Sequence, residues 1–329
     1  MPRQSAVSLF RRPLLRTLVT LEQYANGSQY RLRYSPTFLV GPPRCGGTVT
    51  RQLMAWGLRT CHFTNLLTQT VLECGSPLPV ATAKMVRWLH GSPPADRRYR
   101  KAPFSNRFGQ IPGRGAPAEG ELIWGCWFGD RHGPVAPEEL GDEQAREMYR
   151  AVAATEKVFG IPFVNKTTTL SLRIRAIVKV FPTACFIEVR RDPLDTAQSV
   201  YRARQTAYRH WLGPRPAECE DIDDEPLSEQ VCRQVHYVQR NIDREREAVG
   251  AERFLTIDYR EVCGDPSGTL ARIADFMRLR GAPVDRIRTV PASFPYSHGQ
   301  KVDDADYAQL RACLERLAGT RNSVTTRTS

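Results

Sequence analysis

The segment FLVGPPRCGGTVTRQL, residues 38–53, constrains the fold of this chain more than any other. An apolar, β-rich run at 37–40 leads into a turn rich in Gly and Pro, and 48–56 continues as a helix, so the order is strand, turn, helix. Such a turn aims several backbone N–H groups at one point, and the helix dipole adds about half a positive charge there. The turn therefore suits an anion. In nucleoside-triphosphate loops of this shape the pattern is Gly, four residues, Gly, Lys, then Ser or Thr, the Lys reaching the β- and γ-phosphates and the hydroxyl holding Mg²⁺. Gly41, Gly46 and Thr48 fall on those places, but Gly47 stands where the Lys belongs. The cation inside the loop is Arg44, which keeps its proton at neutral pH. The expected ligand is a phosphate or sulfate group other than the γ-phosphate of Mg-ATP; a plain Gly/Pro turn is the alternative.

Beyond the loop, strands alternate with helices. A second short strand is expected at 60–63, then a helical region reaching His90. Residues 91–120 are dense in Pro, Gly and Arg without periodicity and read as a long functional loop or lid. ELIWGCWF (121–128) reads as a pocket wall or the core beneath it, and 138–159 as an amphipathic helix stopped by Gly160. IPFVNK is a strand, 170–181 a helix, ACFIEV a buried strand, and RFLTIDY a further strand. Helices are expected at 193–209, 227–249, 266–279 and 303–317, with ECEDIDDE (218–225) a solvated acidic loop. The alternation implies a parallel sheet covered on both faces, with ligands at the carboxyl ends of the strands. The expected organisation is an N-terminal arm (1–35), one α/β domain (36–318) carrying the 91–120 insertion, and a disordered tail (319–329).

A second anion site follows from RRDPLDTAQS, residues 190–199. Asp192 and Pro193 are helix-start residues, so Arg191 lies in a strand-to-helix turn and Ser199 about two turns into the helix. Together they can grip one phosphate from two sides, the guanidinium as a fork and the hydroxyl as a further donor. An Arg capped by Asp192 or Asp195 is the structural alternative. A net charge of +12 favours an anionic ligand, substrate or surface, but the basic residues are spread along the chain rather than blocked, which argues against nucleic acid as partner. The nine Cys form no CxxC pair or zinc-spaced cluster and read as reduced thiols of a cytoplasmic enzyme, with no metal site. Cys45 stands apart: a thiol at a helix N-terminus can have a lowered pKa, or it is simply small enough for the turn. No run of about 20 apolar residues is present to span a membrane, and Arg and Pro interrupt the apolar N-terminus, against a secretory signal.

Taken together, GPPRCGGTVTRQL resembles the 5′-phosphosulfate loop of the sulfotransferase family, usually written PxRSGTT or PKSGTT, and VRRDPLDTAQSVYR resembles that family's 3′-phosphate motif. NKTTTLSLRIRAIVKVFPTACFIEV and TIDYREVCGDPSGTLARIADFMRL are similar to further family segments, in the right order. The resemblance implies a three-layer, P-loop-containing nucleotide hydrolase-like α/β fold with a central parallel sheet, and 3′-phosphoadenosine 5′-phosphosulfate (PAPS) as co-substrate without a metal. A sulfuryl group carries less negative charge than a γ-phosphate, so the loop Lys and Mg²⁺ become dispensable. It further implies that Arg44, Cys45 (in the place usually held by Ser), Gly46, Gly47, Thr48 and Val49 hold the 5′-phosphosulfate, and that Arg191 and Ser199 hold the 3′-phosphate. Lys166, at a strand end, stabilises leaving-group charge or is a core-edge Lys with a solvated head.

Transfer to an alcohol also needs a base. His62, at the end of the second expected strand, is the first choice by topology and intrinsic pKa; Glu119 competes, with burial against Trp124 or Trp127 expected to raise its pKa. The acceptor is a small molecule, glycan or lipid: the Arg-rich loop favours an anionic one, the tryptophans a lipid or aromatic alcohol. Homodimerisation is left open. The rivals are a nucleoside or sugar kinase, against which Gly47 counts, and a nucleotide-binding member of the fold without activity.

Overall fold

The computed structural model describes residues 30–91, 111–129, 132–206 and 211–325, together with Thr17, Glu22 and Phe104; for 320–325 only the backbone is described. Most of the expected arm and of the 91–120 insertion lies outside these residues.

Four parallel strands form the sheet in the order β2–β1–β3–β4: β1 (Thr37–Val40), β2 (Val164–Lys166), β3 (Cys185–Arg190) and β4 (Phe254–Asp258). Thr37 stands opposite both Val164 and Cys185, and Phe186 opposite Phe254. Successive residues of a strand face opposite sides, and each face meets its own helices. Leu39, Ile187, Val189 and Ile257 pack with Leu53 and Met54 of α1 (Gly47–Gly57) and with Leu270, Ile273 and Met277 of α10 (Pro266–Leu279). Phe38, Val40 and Phe186 face the larger core on the other side. There Phe38 meets Trp124 edge-on at 5.8 Å between ring centroids. This side is closed by α4 (Glu121–Phe128), α5 (Asp142–Phe159), α6 (Ile174–Val180) and α8 (Leu227–Val249). The result is the three-layer α/β architecture expected from the alternation.

Further helices are α2 (Asn65–Cys74) and α3 (Pro79–His90), then α7 (Pro193–Thr206), α9 (Tyr259–Gly264) and α11 (Asp304–Thr325), the last packed on α7 and α8. Helix starts follow local chemistry: the Asp265 carboxylate accepts from the Gly268 N–H at 2.8 Å with Pro266 in the first turn, and Asp258 accepts from the Arg260 N–H at 2.6 Å. Gly160 ends α5 in the left-handed conformation (φ 69°).

Several elements differ from the sequence expectation. Residues 60–63 make no strand; Cys61 alone bridges to Phe163, its N–H donating to the Pro162 carbonyl at 2.9 Å. ELIWGCWF is a helix that buries Ile123, Trp124, Trp127 and Phe128, with Trp124 at 0% exposure. The helix expected over 170–181 is split into a 3₁₀ turn (Thr168–Leu172) and α6. The turn lets Ser171 Oγ accept from the Gly41 N–H (3.0 Å) and donate to the Gly41 carbonyl (3.2 Å), which fixes the start of the anion loop. The last helix runs past Gly319 to Thr325, shortening the tail expected there.

Candidate active site

The loop after β1 is shaped by close approaches. A Cβ on Gly41 (φ 153°) would lie 2.8 Å from the Val189 carbonyl oxygen, and one on Gly46 (φ 105°) 2.2 Å from the Tyr259 ring. Only glycine fits both places. Arg44 adopts φ 67°, uncommon for a residue with a side chain. Its Nε donates to Ser199 Oγ at 3.2 Å, and its carbonyl accepts from Arg191 Nη1 at 3.1 Å. The two anion motifs therefore meet, as their positions at the carboxyl ends of β1 and β3 require.

Arg191 is the hub of this arrangement. Its guanidinium lies over the Tyr259 ring at 5.1 Å and donates to the Ser297 carbonyl, while its Nε is buried without a hydrogen-bond partner among the described residues. A buried donor left unmade is costly and calls for an acceptor, such as an anion in the adjoining cavity. That cavity, about 230 Å³, is lined by Arg44, Cys45, Gly46, Gly47, Thr48, Val49, Arg191 and Ser199, the full set expected for the donor, and also by Lys166 and Glu119.

At the other end, Lys166 closes β2 with its side chain 11% exposed, and its Nζ donates to Glu119 Oε1 at 2.5 Å. A Cβ on Gly47 would sit 3.4 Å from Lys166 Cε. The glycine that replaces the loop Lys thus borders a lysine arriving from the neighbouring strand. Burial pushes the Glu119 carboxyl up, but the Lys166 charge and hydrogen bond, with Arg51 and Arg44, hold it below the usual carboxylate range. This reverses the expectation of a raised pKa: Trp124 turns its N–H to Asn165 Oδ1 (2.9 Å) instead.

For Cys45 the structure favours the second of the two alternatives: burial pushes the thiol up, so it is a neutral, packed group that fits the turn rather than an activated one. One further expectation is corrected. His62 does not line the cavity; it is 3% exposed, with Nε2 3.3 Å from the Gly115 carbonyl oxygen. Burial, reinforced by Arg51, lowers its pKa to about 3. The wall of the cavity includes residues that sequence reasoning did not assign: Tyr259, Ser297, Thr168 and Glu121. Tyr259 had a signal, since it ends the RFLTIDY strand where ligands gather. Ser297 had none, standing in a segment without periodicity.

A family model described as "Sulfotransferase family" matches residues 36–283. The chain belongs to the sulfotransferase family. Its match to the omega-hydroxy-beta-dihydromenaquinone-9 sulfotransferase Stf3 of Mycobacterium bovis and of Mycobacterium tuberculosis is 32% identical over 146 residues, 44% of this chain. The matched part spans 36% of those relatives' length. Among solved structures, the sulfotransferase STF9 from Mycobacterium avium aligns over 94% of this chain and 74% of its own (TM-score 0.50, 18% identity). STF1 from Mycobacterium tuberculosis aligns over 96% and 87% (TM-score 0.50, 16% identity). These two show the sulfotransferase fold, and the family match falls on both anion motifs.

Proposed function

We propose that this sulfotransferase-family chain transfers a sulfuryl group from PAPS to the hydroxyl of a small, lipid-like acceptor. The observation that carries the reading is Arg191: a guanidinium joined to both anion motifs, with a buried Nε awaiting an acceptor, beside a glycine loop at a helix N-terminus. Arg44 and the N–H groups of residues 46–49 suit the 5′ end of the donor, Arg191 and Ser199 its 3′-phosphate. When bound, PAPS supplies an activated sulfuryl group on a phosphate leaving group.

Lys166 places positive charge where the leaving oxygen develops negative charge. Glu119, ionised and within the same cavity, takes the acceptor's proton. The two side chains are paired. An anion that competes for Lys166 weakens that pairing, and the proton affinity of Glu119 rises, which strengthens it as a base.

The lipid-like acceptor is carried over from the dihydromenaquinone named for the mycobacterial relatives, whose match covers only part of their length. The test is incubation with PAPS and hydroxylated isoprenoid lipids, read by mass spectrometry. A product heavier by one sulfuryl group, absent without the enzyme, supports the reading. Release of phosphate from ATP with no sulfated product from PAPS would replace it with phosphoryl transfer.

A further inference from the structure

Helix α3 turns to solvent a face of the kind that globular proteins bury. Val80, Ala83 and Val86 on its inner side join the core. On its outer side Met85, Trp88 and Leu89 are 48%, 83% and 52% exposed, and Leu72 of the adjacent α2 is 65% exposed. Positions 85, 88 and 89 share one helical stripe. The helix is held firmly: the Glu22 carboxylate accepts from the Val80 and Ala81 N–H groups (2.6 and 3.0 Å), and Arg87 donates to the Val158 carbonyl of α5. The exposed tryptophan therefore stands on a fixed element. Helix α3 also carries Lys84, Arg87 and His90 and no acidic residue, against Glu73 beside Leu72 in α2.

We propose that this face docks the protein on an anionic lipid bilayer. A tryptophan with flanking apolar residues belongs at the headgroup boundary, and Lys84, exposed at the edge of the same stripe, is drawn to anionic lipid. The excess of Lys and Arg over Asp and Glu in the whole chain, +12, acts in the same direction. A second copy is the poorer occupant, because a two-fold contact through this face would bring Lys84 of both copies to one apolar contact. The face is linked to the site through intervening helices. Helix α2 packs on both α3 and α4, and α4 begins at Glu121, which lines the donor cavity, followed by Leu122, 43% exposed. No helix among the described residues is long and apolar enough to cross a membrane, so the contact is with the surface. Docking would bring the site to a hydroxylated lipid without extracting it. The inference rests on the lipid-acceptor reading for that purpose, while docking itself is measured without turnover.

The test is co-sedimentation of the full chain with phosphatidylcholine vesicles, with and without phosphatidylglycerol, beside calorimetry of 3′,5′-adenosine bisphosphate on the same preparation. Wild type should pellet with the phosphatidylglycerol vesicles and be released by salt. Met85→Ser/Trp88→Ser should lower vesicle binding by about tenfold or more, and Lys84→Glu should weaken it on phosphatidylglycerol alone. Both variants should keep wild-type affinity for the bisphosphate, which shows that they are folded. Wild type left in the supernatant, or a Met85→Ser/Trp88→Ser variant that pellets like wild type, overturns the proposal. So does a concentration-dependent dimer abolished by the same pair of substitutions, which would assign the face to a second copy. Vesicle binding without bisphosphate binding would sink the donor reading and leave docking intact.

Discussion

Arg44 Nε and Ser199 Oγ meet at 3.2 Å although 155 residues separate them. The bond joins the loop before α1 to the second turn of α7, so the two motifs are held against one another. Ser199→Ala removes both this tie and the donor proposed for the 3′-phosphate. It should weaken 3′,5′-adenosine bisphosphate by about 1 kcal/mol and leave ADP, which lacks that phosphate, nearly unchanged. Equal losses for the two nucleotides would mean that Ser199 only supports the loop.

Arg191→Ala should cost more, about 1.5–3 kcal/mol in bisphosphate affinity, the range for a hydrogen bond to a charged group. It also strips the partner from the Arg44 and Ser297 carbonyls. Unchanged affinity, measured by calorimetry, would remove Arg191 from the 3′-phosphate site.

Glu119→Gln tests the base. The expected outcome is a fall in kcat of roughly 10²–10⁴-fold with bisphosphate affinity little changed. Because the folded carboxyl lies below its ordinary value, the basic form is present above the usual carboxylate range. The acid limb of kcat/KM, which reports the free enzyme, should fall below about pH 4.5. A Glu119→Gln enzyme with wild-type turnover would exclude the assignment.

His62 is expected to affect stability rather than chemistry. Its folded pKa, about 3, lies below the ordinary 6.5, so the unfolded chain binds the proton first as pH falls. Stability should therefore decline from about pH 6.5 downward, by on the order of 2 kcal/mol on reaching about pH 5. Glu156 opposes this. Burial raises it to about 7, so it takes up its proton in the folded state first and gains stability over the same range. The His62 effect is thus read as the difference between wild type and His62→Gln in urea melts at several pH values. Identical pH dependence in the two proteins would contradict it.

Glu188 is fully buried on β3, where it accepts from Gln239 Nε2 (2.6 Å), Thr256 Oγ1 (2.8 Å) and Arg190 Nε (2.8 Å), with Arg246 also paired to it. Replacing it by Ala leaves Arg246 without its carboxylate and Arg190 with Asp243 alone, and should cost about 3–5 kcal/mol in denaturant unfolding. A loss below about 1 kcal/mol would show that the network relaxes.

What was legible in the sequence was local. The strand, glycine turn and helix at 37–57 follow from residue order, and so does the Arg191–Ser199 spacing across a strand-to-helix turn. What was not legible depended on distant partners. Position and pKa favoured His62, but residues 111–118 close over it, the Ala118 N–H donating to the Phe63 carbonyl at 2.8 Å. The tryptophans near Glu119 suggested a raised pKa, whereas Lys166, 47 residues on, arrives to hold it down. ELIWGCWF has the composition of either a buried strand or a buried helix, and only packing on α2 and α5 decides.

The central claim is that the joined Arg44, Arg191 and Ser199 site selects a nucleotide carrying a 3′-phosphate. Calorimetry of 3′,5′-adenosine bisphosphate beside ADP and Mg-ATP tests it most directly. The expected result is metal-independent binding of the bisphosphate at least about tenfold tighter than ADP, the equivalent of 1.4 kcal/mol. Tighter binding of Mg-ATP would contradict the account and make the loop a triphosphate site.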